Sequence, residues 1–297
     1  MSELSQPDAP LAPGLYLVAT PIGNLEDITL RALRVLRSVD RIACEDTRQT
    51  SKLLSHFGIT TPSVSYHTHN ESSRTEELIE PLKQGGRLAV VSDAGTPAIA
   101  DPGALLAAAA IAAGVAVYPI PGANAAITAL IASGLNAEAF AFNGFLPSKQ
   151  GERRTVLEAL RATLSADTNA TQIFYETPHR IVEALHDIVA TFGSTHRIAI
   201  GRELTKLHEE ILRGPAAELL ATLSARPNIR GEMVLLLEGS LQQSTEPIHT
   251  SIAQEVAALM RTESLSEKDA LKRVAKARGL GKSEAYRELQ RTQSRKQ

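Results

Sequence analysis

Apolar and amphipathic stretches alternate along the first 120 residues. Five runs of branched and aliphatic residues, 14–20, 41–45, 63–67, 87–91 and 115–120, read as strands, and residues 28–39, 49–57 and 74–83 between them carry helical spacing. Gly85-Gly86 closes the third helix, an alanine-rich helix follows the fourth strand, and a fifth helix leads out of PGANAAI and ends at Gly134. Such alternation predicts a mostly parallel sheet covered by helices on both faces.

The second half changes character. Residues 140–145, 172–176, 197–202 and 232–238 look like strands separated by helices 153–164, 180–192 and 216–224, which predicts a second α/β domain with a mixed sheet. The expected organisation is an N-terminal arm (1–13), an α/β domain (14–120), a second α/β domain (121–240), a polar linker (241–250) and a helical region (251–297) with a Gly-Leu-Gly break at 279–281.

Within the first domain, residues 87–103 (RLAVVSDAGTPAIADPG) stand out. A buried strand stops abruptly in a carboxylate, two glycines and two prolines before a helix, which is where ligands sit in open α/β sheets. Asp101 and Pro102 suit the cap and first position of that helix. Residues 92–97 exceed what a simple connection needs and suit a ligand loop, Gly95 permitting close approach and Asp93 offering an acceptor.

Composition narrows the classes. The formal charge of -2 does not mark the whole chain as a nucleic-acid binder, yet from Lys268 onward ten Lys/Arg face three acidic residues, suiting a basic helix-turn-helix or a solvated helical pair. One cysteine, Cys44, excludes an intramolecular disulfide framework and fits a reducing compartment. No apolar run reaches membrane-spanning length and no secretory pattern opens the chain, so a cytoplasmic location is expected. Neither G-x-G-x-x-G nor a P-loop motif is present, Ser92 lacks a nucleophile-elbow context, and His67 with His69 lacks partners for zinc. Four polar clusters remain, at residues 45–48, 66–71, 175–180 and 201–206. Each sits at or just after a predicted strand, so they can converge on one cleft or serve as caps and solvated pairs.

TPIGNLEDIT, CEDTRQTSKLL, HNE, SDAGTPAIADPG, PGANAAITAL, ETPHRI, RELTKLHEE and GEMVLLLEG occur in that order, and over residues 14–239 the chain resembles the ribosomal RNA small subunit methyltransferase I family. Ala123 departs from the proline expected after the glycine of PGANAAI, which touches loop stiffness more than chemistry.

The resemblance implies a two-domain tetrapyrrole-methylase-like α/β fold of the class III S-adenosylmethionine methyltransferases with a small helix-turn-helix-like appendage. It also implies 2′-O-methylation of a decoding-region cytidine in 16S ribosomal RNA of the small subunit, and a homodimer. The helices at 104–113 and 123–132 can supply the dimer interface or lie internally. The family's cofactor positions fall on Pro21, Asp93, Ala94, Gly95, Ile99, Ala100, Asn124 and Ala125, then on Tyr175, Leu204 and Met233 of the second domain. Methyl transfer to a hydroxyl needs alignment and a proton acceptor or orienter, for which Glu45, Asp46 and His67 are candidates. Arg48 suits a phosphate, Lys149, Arg153, Arg154, Arg202 and Lys206 can flank the cleft, and Lys272, Arg273 and Lys276 can grip RNA from the tail. Two other classes fit less of the sequence. A tetrapyrrole or other small-molecule methylase has little use for the basic tail, and a non-catalytic RNA-binding assembly factor has no need of the intact SDAGTP loop.

Overall fold

The computed structural model describes residues 10–164, 169–240, 256, 259–260 and 266–277. The first five strands, β1 (Gly14–Val18), β2 (Arg41–Cys44), β3 (Ser63–Ser65), β4 (Arg87–Val91) and β5 (Val117–Ile120), form one sheet in the order β3-β2-β4-β1-β5. Every pairing in it is parallel. Both faces of its central strands are apolar. Helix α1 (Leu30–Ser38) packs on one face with Val18, Ile42 and Ala89. Helices α3 (Glu71–Lys83) and α4 (Ala104–Ala112) bury Leu78, Leu82 and Leu106 on the other with Leu15 and Val90. Helix α2 (Thr47–His56) joins β2 to β3.

The remaining strands, β6 (Phe140–Phe145), β7 (Thr171–Glu176), β8 (Arg197–Arg202), β9 (Glu210–Pro215) and β10 (Met233–Leu237), form a second sheet ordered β6-β7-β10-β8-β9. It is mixed as expected: β6 and β7 are parallel and the other pairs antiparallel. Helices α6 (Gln150–Thr163), α7 (Ile181–Phe192) and α8 (Ala216–Ser224) cover one face. Helix α5 (Ala125–Ser133), which ends at left-handed Gly134, covers the other with Ala126, Ala129 and Leu130. Strand β9 is absent from the sequence reading, because EILRGP is short, places an arginine mid-run and ends in a Gly-Pro turn signal.

Two sequence expectations change here. Asp101 does not cap α4. The chain takes an extra turn through left-handed Ala98 and Ala100, the helix starts at Ala104, and the Glu71 carboxylate accepts the Gly103 N–H at 3.1 Å. Arg153 is not a surface phosphate ligand. It is fully buried, with Nε donating to Asp187 Oδ2 at 2.7 Å and one guanidinium N–H to Ser148 O at 3.2 Å.

In the tail, Ser266 and Asp269 form a reciprocal cap at the start of α9 (Glu267–Ala277), whose Ala270, Val274 and Ala275 pack with Val256. Lys272 and Arg273 are exposed on it. The first nine arm residues, the linker 241–250, the break at 279–281 and the Lys276 side chain lie outside the described residues. Among the described residues no helix is long and apolar enough to cross a membrane.

His196 is buried beside Phe192, their rings 4.9 Å apart, and burial pushes its pKa down. Unfolding returns the ring to water, where it protonates near its ordinary value of about 6.5, so this contribution to stability is present above that pH and lost as pH falls below it. Urea midpoints of the wild type should therefore fall more steeply between neutral pH and mild acid than those of His196→Gln. Parallel pH profiles would remove His196 as the cause.

Candidate active site

The carboxyl ends of β1, β2, β4 and β5 all open on one edge of the first sheet, beside the point where strand order reverses about β1. Two backbone bonds, Thr20 N to Gly95 O at 2.9 Å and Gly95 N to Thr20 O at 3.0 Å, tie the β1 and β4 loops together. Gly95 has φ +84°, and an added Cβ would lie 3.3 Å from Ile22 Cγ2. Asn124 caps α5 through Ile127 N and donates Nδ2 to Thr96 Oγ1, which itself donates to Ala123 O. The β5 loop is thereby fastened to the same wall.

The second sheet supplies the facing wall. Tyr175 from β7 stacks edge-on to Phe142 and Phe145, with ring centroids 4.9 and 5.6 Å away. The loop after β8 is strained, with Glu203 at φ 50° and Thr205 at φ 65°, conformations that cost about 1–2 kcal/mol for such residues. It is held by Lys206, whose Nζ donates to Glu203 at 2.8 Å and Glu232 at 3.0 Å. Between these walls lies a cleft of about 330 Å³. Ile22, Ile99, Leu204, Met233 and Val234 give it apolar surface, and Asp93, Asp101, Glu176 and Glu232 give it carboxylates.

Of the expected cofactor positions, the cleft brings together Asp93, Ala94, Gly95, Ile99, Ala100, Ala125, Tyr175, Leu204 and Met233. Pro21 and Asn124 are not in its lining: Pro21 is buried, and Asn124 braces the loops instead. Sequence reasoning missed Asp101, Phe145, Glu176 and Glu232 as lining residues. The ETPHRI cluster already flagged Glu176, whereas Phe145 at the end of β6 reads only as strand core.

Glu45, Asp46 and His67 are not in the lining. Asp46 is the N-cap of α2, accepting from Arg48 N at 2.8 Å, and side-chain and backbone bonds from Arg48 hold its carboxyl down at about 2. A carboxylate so engaged is a poor proton acceptor at neutral pH. Glu45 is raised from the usual range by burial and by neighbouring Asp93, an effect opposed by His67. His67 Nδ1 is buried without a hydrogen-bond partner.

The expected RNA contacts divide. Arg48, Lys149 and Arg154 are exposed. Arg202 donates to Glu210 at 2.9 Å and to the carbonyls of His208 and Arg230, whereas Lys206 lines the cleft as expected and is paired there with its two glutamates.

A ligand cleft at the strand ends of a parallel sheet, closed by a second mixed sheet, is the architecture of a two-domain methylase. Residues 14–220 match the tetrapyrrole (corrin/porphyrin) methylases, and the chain belongs to that family. Its near relatives are narrower in kind. Ribosomal RNA small subunit methyltransferase I of Halalkalibacterium halodurans is 49% identical over 92% of this chain and 93% of its own. The protein of that name from Escherichia coli O157:H7 is 46% identical over 92% and 93%. Among solved structures, the uroporphyrin-III C-methyltransferase of Thermus thermophilus matches 76% of this chain and 94% of its own with TM-score 0.51 at 20% identity. A diphthine synthase matches 76% and 90% with TM-score 0.56 at 18% identity. The chain is thus an S-adenosylmethionine-dependent methyltransferase of the ribosomal RNA small subunit methyltransferase I branch.

The cleft fits that cofactor. Its volume suits a nucleoside-sized ligand, its apolar surface suits an uncharged ring and methyl group, and its carboxylates suit a cation. Glu176 Oε2, buried without a partner, offers an acceptor that the protein itself does not satisfy.

Proposed function

We propose that the protein transfers a methyl group from S-adenosylmethionine to the 2′-hydroxyl of a decoding-region cytidine in 16S ribosomal RNA of the small subunit. The observation that carries this reading is near-half identity, across nearly the whole chain, to proteins named for small-subunit ribosomal RNA methylation, with the methylase cleft intact. When bound, the cofactor supplies an electrophilic methyl group on a positively charged sulfur. Asp93, Ala94, Gly95, Ile99 and Ala100 would hold it from the first sheet, and Tyr175, Leu204 and Met233 from the second. Burial between two walls fixes the donor and excludes water, and such positioning can supply about 7–11 kcal/mol of a barrier. Exposed Arg48, Lys149 and Arg154 offer phosphate contacts on the body of the protein.

Incubation with labelled cofactor and either small-subunit particles or naked RNA, followed by nuclease digestion and mass spectrometry, tests the reading. A methyl group on a cytidine ribose is expected. One on a base, on a tetrapyrrole or on protein would overturn it.

The tail contributes through charge. Deleting residues 246–297 should weaken RNA binding and flatten its dependence on salt, because each lost phosphate contact removes about 0.7–0.9 from the slope of log affinity against log salt. Cofactor affinity measured by calorimetry should stay the same. Unchanged RNA affinity and salt slope would remove the tail from recognition.

The protein works as a cytoplasmic homodimer in this reading. Helices α4 and α5 each bury one side and leave Leu105, Ile111, Ile127 and Ile131 exposed, the last at 75%. Sedimentation of the wild type against Ile131→Lys checks whether α5 takes part.

A further inference from the structure

We propose that Asp101 is the group that accepts the proton of the hydroxyl being methylated, in place of Glu45, Asp46 or His67. The inference rests on the hydroxyl-methylation reading above.

The sequence assigns Asp101 to a helix cap, and the structure relieves it of that duty. The helix starts at Ala104, and the N–H of Gly103 is taken by Glu71. The carboxylate is left in the cleft wall beside Asp93, Ile99 and Ala100. Left-handed Ala98 (φ 70°) and Ala100 (φ 61°) shape the loop that carries it there.

Its neighbours come from each element around it. Glu45 at the end of β2 and Asp93 after β4 repel its charge, the Ser92 hydroxyl, which donates to the carbonyls of Ala94 and Gly95, lies close enough to favour its ionised form, and Tyr175 of β7 feels its charge. Burial first, then Glu45, pushes its carboxyl up to about 6, with the Ser92 hydroxyl opposing. It is therefore mostly ionised at neutral pH, yet far more basic than Asp46 at about 2. That combination suits a general base, whose best pKa lies close to the working pH.

The opposite wall points independently to a ligand. Glu176 is 2% exposed and lines the cleft, its Oε1 receives Thr177 N and Arg180 Nε, and its Oε2 has no partner. A buried acceptor oxygen of this kind calls for a donor on a bound molecule. Glu176 from the second sheet and Asp101 from the first line the same cleft.

The chemistry balances without a further reagent. The hydroxyl oxygen's electron pair forms the new O–C bond, the C–S bond breaks with its pair staying on sulfur, and the O–H proton passes to Asp101 and from there to water.

Two measurements test the assignment. In ligand-free protein labelled with ¹³C at aspartate carboxyls, one resonance should titrate near pH 6 and vanish in Asp101→Asn. In single turnover on small-subunit substrate, Asp101→Asn should lower the methylation rate about 10²–10⁴-fold. Its cofactor affinity by calorimetry should stay within about threefold of wild type, under 1 kcal/mol. The wild-type rate should fall as pH drops through about 6, and Asp101→Glu, which keeps a carboxylate, should recover part of the rate and the inflection. An Asp101→Asn rate within about threefold of wild type, or a loss of cofactor affinity as large as the loss of rate, would overturn the assignment. Mass spectrometry of the wild-type product separates the two levels: a base methyl overturns the hydroxyl reading and Asp101 with it. A ribose methyl with unimpaired Asp101→Asn overturns Asp101 alone.

Discussion

Replacing Arg153 by methionine should lower the free energy of unfolding by about 3–5 kcal/mol, because it leaves a buried carboxylate without its cation. Arg153 is fully buried and Asp187 is 3% exposed, and they meet at 2.7 Å between α6 and α7 on the covered face of the second sheet. Asp187 also receives Gln150 Nε2 at 3.2 Å, so one contact survives the substitution, but not the charge compensation. A domain of this size shifts its melting temperature by roughly 2–4 °C per kcal/mol, so a drop near 10 °C is expected. The double replacement Arg153→Met/Asp187→Leu should recover most of the loss, since an apolar pair of similar volume often matches a buried ion pair. RNA affinity of the folded single variant should equal that of wild type. A stable single variant with weakened RNA binding would return Arg153 to the surface role that its place in the sequence first suggested.

The second large effect is expected at Gly95. Valine there must adopt φ +84°, which a β-branched residue essentially avoids, and its Cβ would press on Ile22 at 3.3 Å. Ile22 lines the cleft, so the strain is relieved by moving the wall that receives the cofactor or by breaking the Thr20–Gly95 bridge. Cofactor affinity should fall by more than about tenfold, at least 1.4 kcal/mol, with the far-ultraviolet spectrum of the folded protein retained. Gly95→Ala should do less, having one carbon to place rather than three. Equal affinity in wild type and Gly95→Val would mean that this loop does not set the cleft.

Periodicity was enough to read the βα alternation of the first sheet, the mixed character of the second, and the bounds of β6, β8 and α8. These elements bury continuous apolar faces, so their pattern is local. What escaped depends on partners far along the chain. Asp101 read as a cap because Asp-Pro-Gly before alanines is a local start signal, and Glu71, thirty-two residues away at Gly103, took the position. Arg153 read as a cation flanking the cleft because charge in a sequence carries no sign of its burial, and the carboxylates that meet Arg202 and Lys206 were equally hidden. The loops of the cleft were legible from glycines, prolines and family resemblance. Which carboxylate faces inward was not, because that turns on two left-handed alanines whose residue type gives no hint of their conformation.

The charges lining the cleft bear on how a catalytic cycle ends. Asp93, Asp101, Glu176 and Glu232 line the cleft, and the Arg180 guanidinium at Glu176 (2.9 Å) and the Lys206 ammonium at Glu232 (3.0 Å) offset part of their charge. A methyl donor enters this anionic surface as a sulfonium and leaves it as a neutral thioether. Attraction to the carboxylates is withdrawn when the methyl group departs, so the spent molecule is expected to bind less tightly than its precursor, with the share owed to Asp101 staying within the roughly threefold bound set for Asp101→Asn.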